Sequence, residues 1–251
     1  MPPACIPVWI EVNERGEANA FALNTSLAIG SGPSVHAALE RLRQDLIGTR
    51  RWLAAHGVSD GHPVDLPMRV VETVTTRADP LRGGTRAFFA WDAQMPSDDD
   101  IDRIERVMHC SRADLLSLVS PASDETLDVR LAPKMRTLRE MVKHIAAREL
   151  SCATCLFDDP LAAPPIHEFG PDLLRRLRNV RLYFQEQGLN RIRRMDSAQR
   201  VRQFHVGGDW WSARRALRHA AQHEIHHLKQ AYRMLQRIRR LPEPVRRAAV
   251  A

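Results

Sequence analysis

With 251 residues, 44% of them hydrophobic and 27% charged, the chain can bury one large core or two smaller ones, which excludes a disordered polymer. Its formal charge of +7 comes largely from arginines in 174–202 and 233–247, spread along helical faces with interspersed acids and no aromatic stacking pattern. This is the pattern of solvated helix faces rather than of a nucleic-acid surface, and it leaves an anionic small substrate compatible.

Cys5, Cys110, Cys152 and Cys155 show no disulfide-framework spacing, and the N-terminus lacks the basic and apolar parts of a signal peptide. No apolar run approaches the roughly 20 residues that cross a bilayer. A cytoplasmic protein without membrane contact is expected.

Residues 7–12 and 18–24 alternate apolar and polar around Asn13-Glu-Arg-Gly16, which predicts a hairpin. Gly30-Ser-Gly-Pro33 reads as a break, after which Ser34 caps an amphipathic helix carrying Val35, Ala38, Leu39, Leu42 and Leu46 and ending near Gly57. The β-branched run from Met68 predicts a strand returning beside the hairpin. In Ile10-Glu11, the Gly16 turn and the helix Ser34–Ala55, this α+β module over 1–75 resembles the HicB-like fold. No DNA-binding helix-turn-helix follows, so the regulatory role of that family is not implied.

The Pro- and Gly-rich stretch 76–96 reads as a linker. Beyond it the period is helical. Ser97 followed by three Asp opens a helix through Val119. Pro121 and Pro133 bracket a connection, and a second helix is expected over about 134–156. A third follows the Pro-rich loop 158–165, covering Pro171–Gln187 and ending at Gly188. The fourth begins at Ser212. The expected fold class is therefore α+β: the small module, then an antiparallel four-helix bundle over 97–240 and a basic tail over 241–251.

The fourth helix carries His219, His223, His226 and His227 within nine residues, all on one face. His223 and His227 stand one turn apart, a spacing that lets two imidazoles share an ion. Taken singly, His219 and His226 read as supporting or surface groups. A third ligand has to come from another helix, and His144, an imidazole among Leu138, Met141, Val142, Ile145 and Ala146, is the candidate; a buried histidine with its own hydrogen bonds is the alternative.

Two segments, Leu138-Arg-Glu-Met-Val-Lys-His144-Ile-Ala-Ala-Arg-Glu149 and Trp211 through His219, His223 and His227 to Gln230, make residues 98–238 resemble the DinB/YfiT-like metalloprotein family. That resemblance implies one divalent ion, zinc or nickel, on His144, His223 and His227 with remaining positions open. It also implies a small-molecule substrate, in several members a low-molecular-weight thiol as cosubstrate for S-transfer, in others activated water for hydrolysis, and pairing as a homodimer. The sequence departs from the pattern in reading His-Leu-Lys-Gln after the last ligand, where many members have His-Arg-Gly-Gln.

Glu149 and Glu224 are candidate catalytic groups, to orient imidazoles or move a proton. His223-Glu224-Ile-His-His227 is also a literal H-E-x-x-H, which in a zinc peptidase makes the glutamate the general base. The third alternative is a non-catalytic binding or regulatory protein in which histidines only hold structure. Cys152-Ala-Thr-Cys155 sits late in its helix and reads as packing. Trp210, Trp211 and His205 near Gly207-Gly208 are expected at the mouth of the site.

Overall fold

The structure, a computed structural model, describes residues 5–24, 27–58, 66–155 and 164–243. Much of the Pro-rich loop 158–165 and of the basic tail 241–251 lies outside them. In chain order the elements are β1 (Ile6–Val12), β2 (Ala18–Ala22), β3 (Ala28–Gly32), α1 (Val35–Ala55), β4 (Met68–Thr75), α2 (Asp98–Val119), α3 (Asp124–Asp128), α4 (Leu138–Thr154), α5 (Leu173–Phe184), α6 (Arg191–Arg194), α7 (Ser197–Arg200), β5 (Phe204–Val206), β6 (Asp209–Trp211) and α8 (Ala213–Arg240). They fall into two compact units, residues up to 103 with 196–218, and residues 104–195 with 219 onward. No helix of the described residues is long and apolar enough to cross a membrane.

The first unit is a four-stranded mixed sheet ordered β3-β2-β1-β4, with β4 parallel to β1 and the other pairs antiparallel. Its first hairpin turns as the sequence predicts, because the Asn13 side-chain oxygen accepts from the backbone of Arg15 and Glu17 while Gly16 takes φ +79°. Alternation then sorts the side chains. Ile6, Val8 and Ile10 pack with Ala18, Ala20, Ala22 and α1 residues Ala38, Leu42 and Leu46, whereas Trp9, Phe21 and Leu23 pack on the opposite side with Ala87 and Phe89.

Strand β3 replaces the break expected at Gly30-Ser-Gly-Pro33. Its glycines are strand residues because α1 lies too close for side chains: a Cβ on Gly30 would collide with the Ala38 carbonyl and the Leu42 backbone, and one on Gly32 would stand 2.7 Å from the Ala38 nitrogen. Glycine here signals close approach rather than a turn.

The stretch 76–96 is likewise core rather than linker. Ala87, Phe89 and Asp92 are buried. Buried Glu11 of β1 accepts from the Thr76 hydroxyl at 2.7 Å, the Arg86 N–H at 2.7 Å and the Ala87 N–H at 2.9 Å, so the segment is bound to the sheet. Asp92 in turn receives Arg218 Nε at 2.5 Å and Nη2 at 2.6 Å. These contacts explain why the first unit runs past residue 75 and takes back residues 196–218.

The second unit is helical. Thr137 and Glu140 form a reciprocal capping box that fixes the start of α4, and Arg139 reaches back to Asp124 and Asp128 of α3. The third long helix does not stop at Gly188. It widens through a π turn, Gln185–Asn190, and continues as α6, with Gly188 packed where a Cβ would come within 3.3 Å of the Phe184 ring. Residues of α2, α4, α5 and α8 supply its core, among them Met108, Leu115, Val142, Ile145, Leu177, Phe184, Ile225 and Leu228.

Candidate metal centre

On α4, Met141, Val142, Ile145 and Ala146 turn inward and leave His144 partly buried at the edge of the apolar stripe. On α8, His223 and His227 follow one another by a turn, also partly buried. The rings converge: centroids lie 4.7 Å apart for His144 and His223, 5.0 Å for His144 and His227, and 4.4 Å for His223 and His227. One nitrogen of each falls within 4.8 Å of the others.

This arrangement fits an ion. Two nitrogens each bound to one ion at about 2.0–2.1 Å stand roughly 2.9–3.4 Å apart at the usual angles. His144 Nε2 and His223 Nε2 are 3.0 Å apart. His227 donates from Nδ1 to the Gln230 side-chain oxygen at 2.9 Å, which leaves Nε2 of the neutral ring with its lone pair.

Electrostatics keep all three rings neutral. Burial, reinforced by the charges of Arg136 and Arg148, pushes His144 down to about 4. Burial, then His226, pushes His227 down to about 3 against the opposing hydrogen bond to Gln230. His223 falls lower still, again first through burial and then through its histidine neighbours and Arg148. At neutral pH the three rings are therefore uncharged, so each has one nitrogen lone pair and none repels an incoming cation.

The other two histidines of α8 stay outside this donor set. His219 is buried and stacks on His223 at 6.0 Å, while the His226 ring lies 5.3 Å from that of His227. Among the described residues the converging donors are His144, His223 and His227 alone, with no carboxylate and no thiolate among them. Cys152 and Cys155 are buried in α4 and its C-cap, as expected of packing residues.

Glu149 and Glu224 lie elsewhere than the sequence reading placed them. Neither bonds to a histidine. Both are buried, with buried Arg112 and partly buried Arg181, in a cluster to which α4, α8, α2 and α5 each give one residue. Arg112 Nη2 lies 2.5 Å from Glu149 Oε2 and 3.0 Å from Glu224 Oε2, and Arg112 Nε donates to Glu224 Oε1 at 3.1 Å. Arg181 Nε lies 2.5 Å from Glu149 Oε1, and its Nη2 donates to Glu224 Oε2. Burial works to raise Glu224, but the two guanidiniums overcome it and hold the carboxyl below its usual range. Helical rotation explains the placement: 224 is about 100° round from 223, on the stripe of Leu217, Ala220, Ala221 and Leu228.

Residues 108–231 match the DinB superfamily. The chain carries a DinB superfamily domain. Two solved structures resemble the chain at low identity. YfiT from Bacillus subtilis, described as "a probable metal-dependent hydrolase with an unusual four-helix bundle topology", is 18% identical with a TM-score of 0.45, over 57% of this chain and 89% of YfiT. The DinB-like protein YjoA from Bacillus subtilis is 19% identical with a TM-score of 0.44, over 56% of this chain and 95% of YjoA. No curated protein matches the chain.

All three predicted ligands fall inside the matched stretch of the DinB domain. Arg112, Arg181 and Gln230 were not singled out in the sequence, although the first two sit on apolar stripes, between Met108 and Leu115 and between Leu177 and Phe184, where a charge requires a partner. Trp210, Trp211 and His205 belong to the first unit. They form the β5–β6 hairpin, which turns at Gly207 and Gly208 with φ +61° and +82°; Trp211 packs under the Arg215 guanidinium, and the Trp210 ring lies 5.1 Å from His205.

Proposed function

We propose that the DinB domain is a metal-dependent enzyme in which His144, His223 and His227 hold one divalent ion, zinc or nickel, and the positions left open receive water or a small thiol. The observation that carries this reading is the convergence of three neutral imidazoles without a fourth protein donor among the described residues. A structural zinc site is closed by four ligands, whereas three leave room for a reactant. When bound, a divalent ion supplies Lewis acidity that makes a water or a thiol acidic enough to act as nucleophile near neutral pH.

The residues of the chain divide the remaining work. Gln230 fixes the ring and tautomer of His227, and the capping box at Thr137 fixes the turn of α4 that aims His144. The peptidase alternative assigns proton transfer to Glu224, but that carboxylate is occupied by Arg112 and Arg181. Hydrolysis or thiol transfer without a glutamate base is the reading we adopt.

Metal analysis of the purified chain beside His144→Ala and His227→Ala tests it. One ion per chain in the wild type and loss of the ion in both variants is the expected result; stoichiometric metal in both variants overturns the site. Assays of the loaded protein for ester and amide hydrolysis, and for thiol consumption with an electrophile, then separate the two nucleophiles.

A further inference from the structure

Several arginines of the helical unit meet a carboxylate. Arg112 and Arg181 share Glu149 and Glu224, Arg139 pairs with Asp124 and Asp128, and Arg130 pairs with Glu140. Arg148 and Arg136 do not: among the described residues neither side chain makes a hydrogen bond or an ion pair. Arg136 does act at longer range on Glu140, but the oxygens of that carboxylate are taken by Arg130 Nη2 and the Thr137 N–H.

Their positions are what make this informative. Arg148 is one helical turn beyond His144 on the same face of α4, half-buried, and Arg136 stands just before the helix cap on the other side of His144 along the chain. Both bear on the imidazoles, Arg148 on His144 and His223, Arg136 on His144 and His227. Three neutral ligands bring no negative charge to a dication, so a half-buried guanidinium one helical turn from His144, with exposed Arg136 adding to it, gives the site a positive potential. A guanidinium is also the side chain whose planar fork matches an oxyanion in two parallel hydrogen bonds.

We propose that Arg148, assisted by Arg136, is the anion-recognition part of the site, and that the substrate carries a carboxylate or phosphate group that these arginines hold while its reacting portion lies over the histidines. The proposal rests on the reading of the histidines as the reaction centre. It narrows that reading to oxyanion-bearing substrates.

The test is calorimetric titration of the full chain with phenyl phosphate, benzoate and neutral benzamide, in metal-loaded and chelator-treated protein. Binding of at least one anion, weakened by salt, with none of benzamide, is expected. Which anion binds more tightly separates phosphate from carboxylate substrates. Arg148→Gln should weaken binding at least about tenfold, the loss of one hydrogen bond to a charged group, with Arg148→Lys in between and the Arg136→Gln pair additive to it. Metal content should stay at the wild-type value in every arginine variant, and the dependence on Arg148 should persist in chelated protein. Wild-type binding of neither anion below about 10 mM, or equal affinity in the Arg148→Gln/Arg136→Gln protein, overturns the proposal. Because the chelated arm reads the arginines without the ion, a failure of the histidine site shows in the metal analysis and not here.

Discussion

Glu224 follows His223 directly in α8, and the two side chains serve different partners. His223 places Nε2 3.0 Å from Nε2 of His144, while Glu224 receives Arg112 and Arg181 inside the helical unit. Neighbours in the chain are thus divided by the helical rotation into a member of the histidine triad and a member of an ion cluster. Where α8 turns His223 toward α4, the very next residue turns the one carboxylate of the helix toward the two arginines. The cluster joins one residue from each of four helices, so it fixes the rotation of α4 and α8 about their axes, and with it the direction of the histidines.

Removing a single member of that cluster leaves buried charge unpaired. The Arg112, Glu149 and Glu224 side chains are at most 4% exposed, and that of Arg181 is 13% exposed. Glu224→Ala should therefore cost about 3–5 kcal/mol, and Glu224→Gln less, in urea unfolding of the metal-free protein. A general base behaves in the opposite way: Glu224→Gln would keep stability and metal and lose turnover. Unchanged stability with abolished activity would restore the peptidase reading.

Much of this architecture was legible because periodicity reports burial. The hairpin, α1, the returning strand and the long helices follow from alternation and from 3.6-residue stripes, and His144 stands out as an imidazole on an otherwise apolar turn. What escaped depends on partners distant in the chain. Gly30 and Gly32 are chemically the residues of a turn, and only the closeness of α1 makes them strand residues. Phe89 and Asp92 sit among Pro and Gly, yet are buried by contacts with β2 and with Arg218. Arg112 and Arg181 look like ordinary members of arginine-rich helices. Their signal was a set of opposite charges on apolar stripes of four helices, which sums to zero only once the helices are brought together.

Metal binding should be visible as stability. An ion that binds only the folded chain stabilises it by about 2.7 kcal/mol when free metal is a hundredfold above Kd. Zinc added to chelated wild-type protein should raise the melting temperature, and a chelator should reverse the shift. His144→Ala, which leaves one helix to hold the ion, should show little or none of it. An equal shift in the variant would place the ion elsewhere.

Gly30→Ala tests the close packing of β3 and α1. The added methyl meets backbone of Ala38 and Leu42 rather than a side chain able to move aside. The variant should lose at least about 1–3 kcal/mol, the range for overpacking a core, measured by chemical unfolding. Gly16→Ala is a useful contrast, because nothing lies within 4 Å of the added atom there and the cost comes from φ +79° alone.

Acid should weaken the metal-free protein through these same histidines. In the unfolded chain each titrates near the ordinary value of 6.5, whereas in the fold His144 is held near about 4 and His227 near about 3, with His223 depressed further. Above pH 6.5 both states leave the rings neutral and stability does not depend on them. Between pH 6.5 and about 4 the unfolded chain takes up protons that the folded chain refuses, so unfolding becomes easier as pH falls through this window. Other groups titrate there as well, and comparison with His144→Gln/His227→Gln isolates the contribution: urea midpoints of the wild type should fall more steeply with acid than those of the double variant. Parallel slopes would mean that the rings accept protons in the fold as readily as in the open chain, and that they are not held as neutral donors.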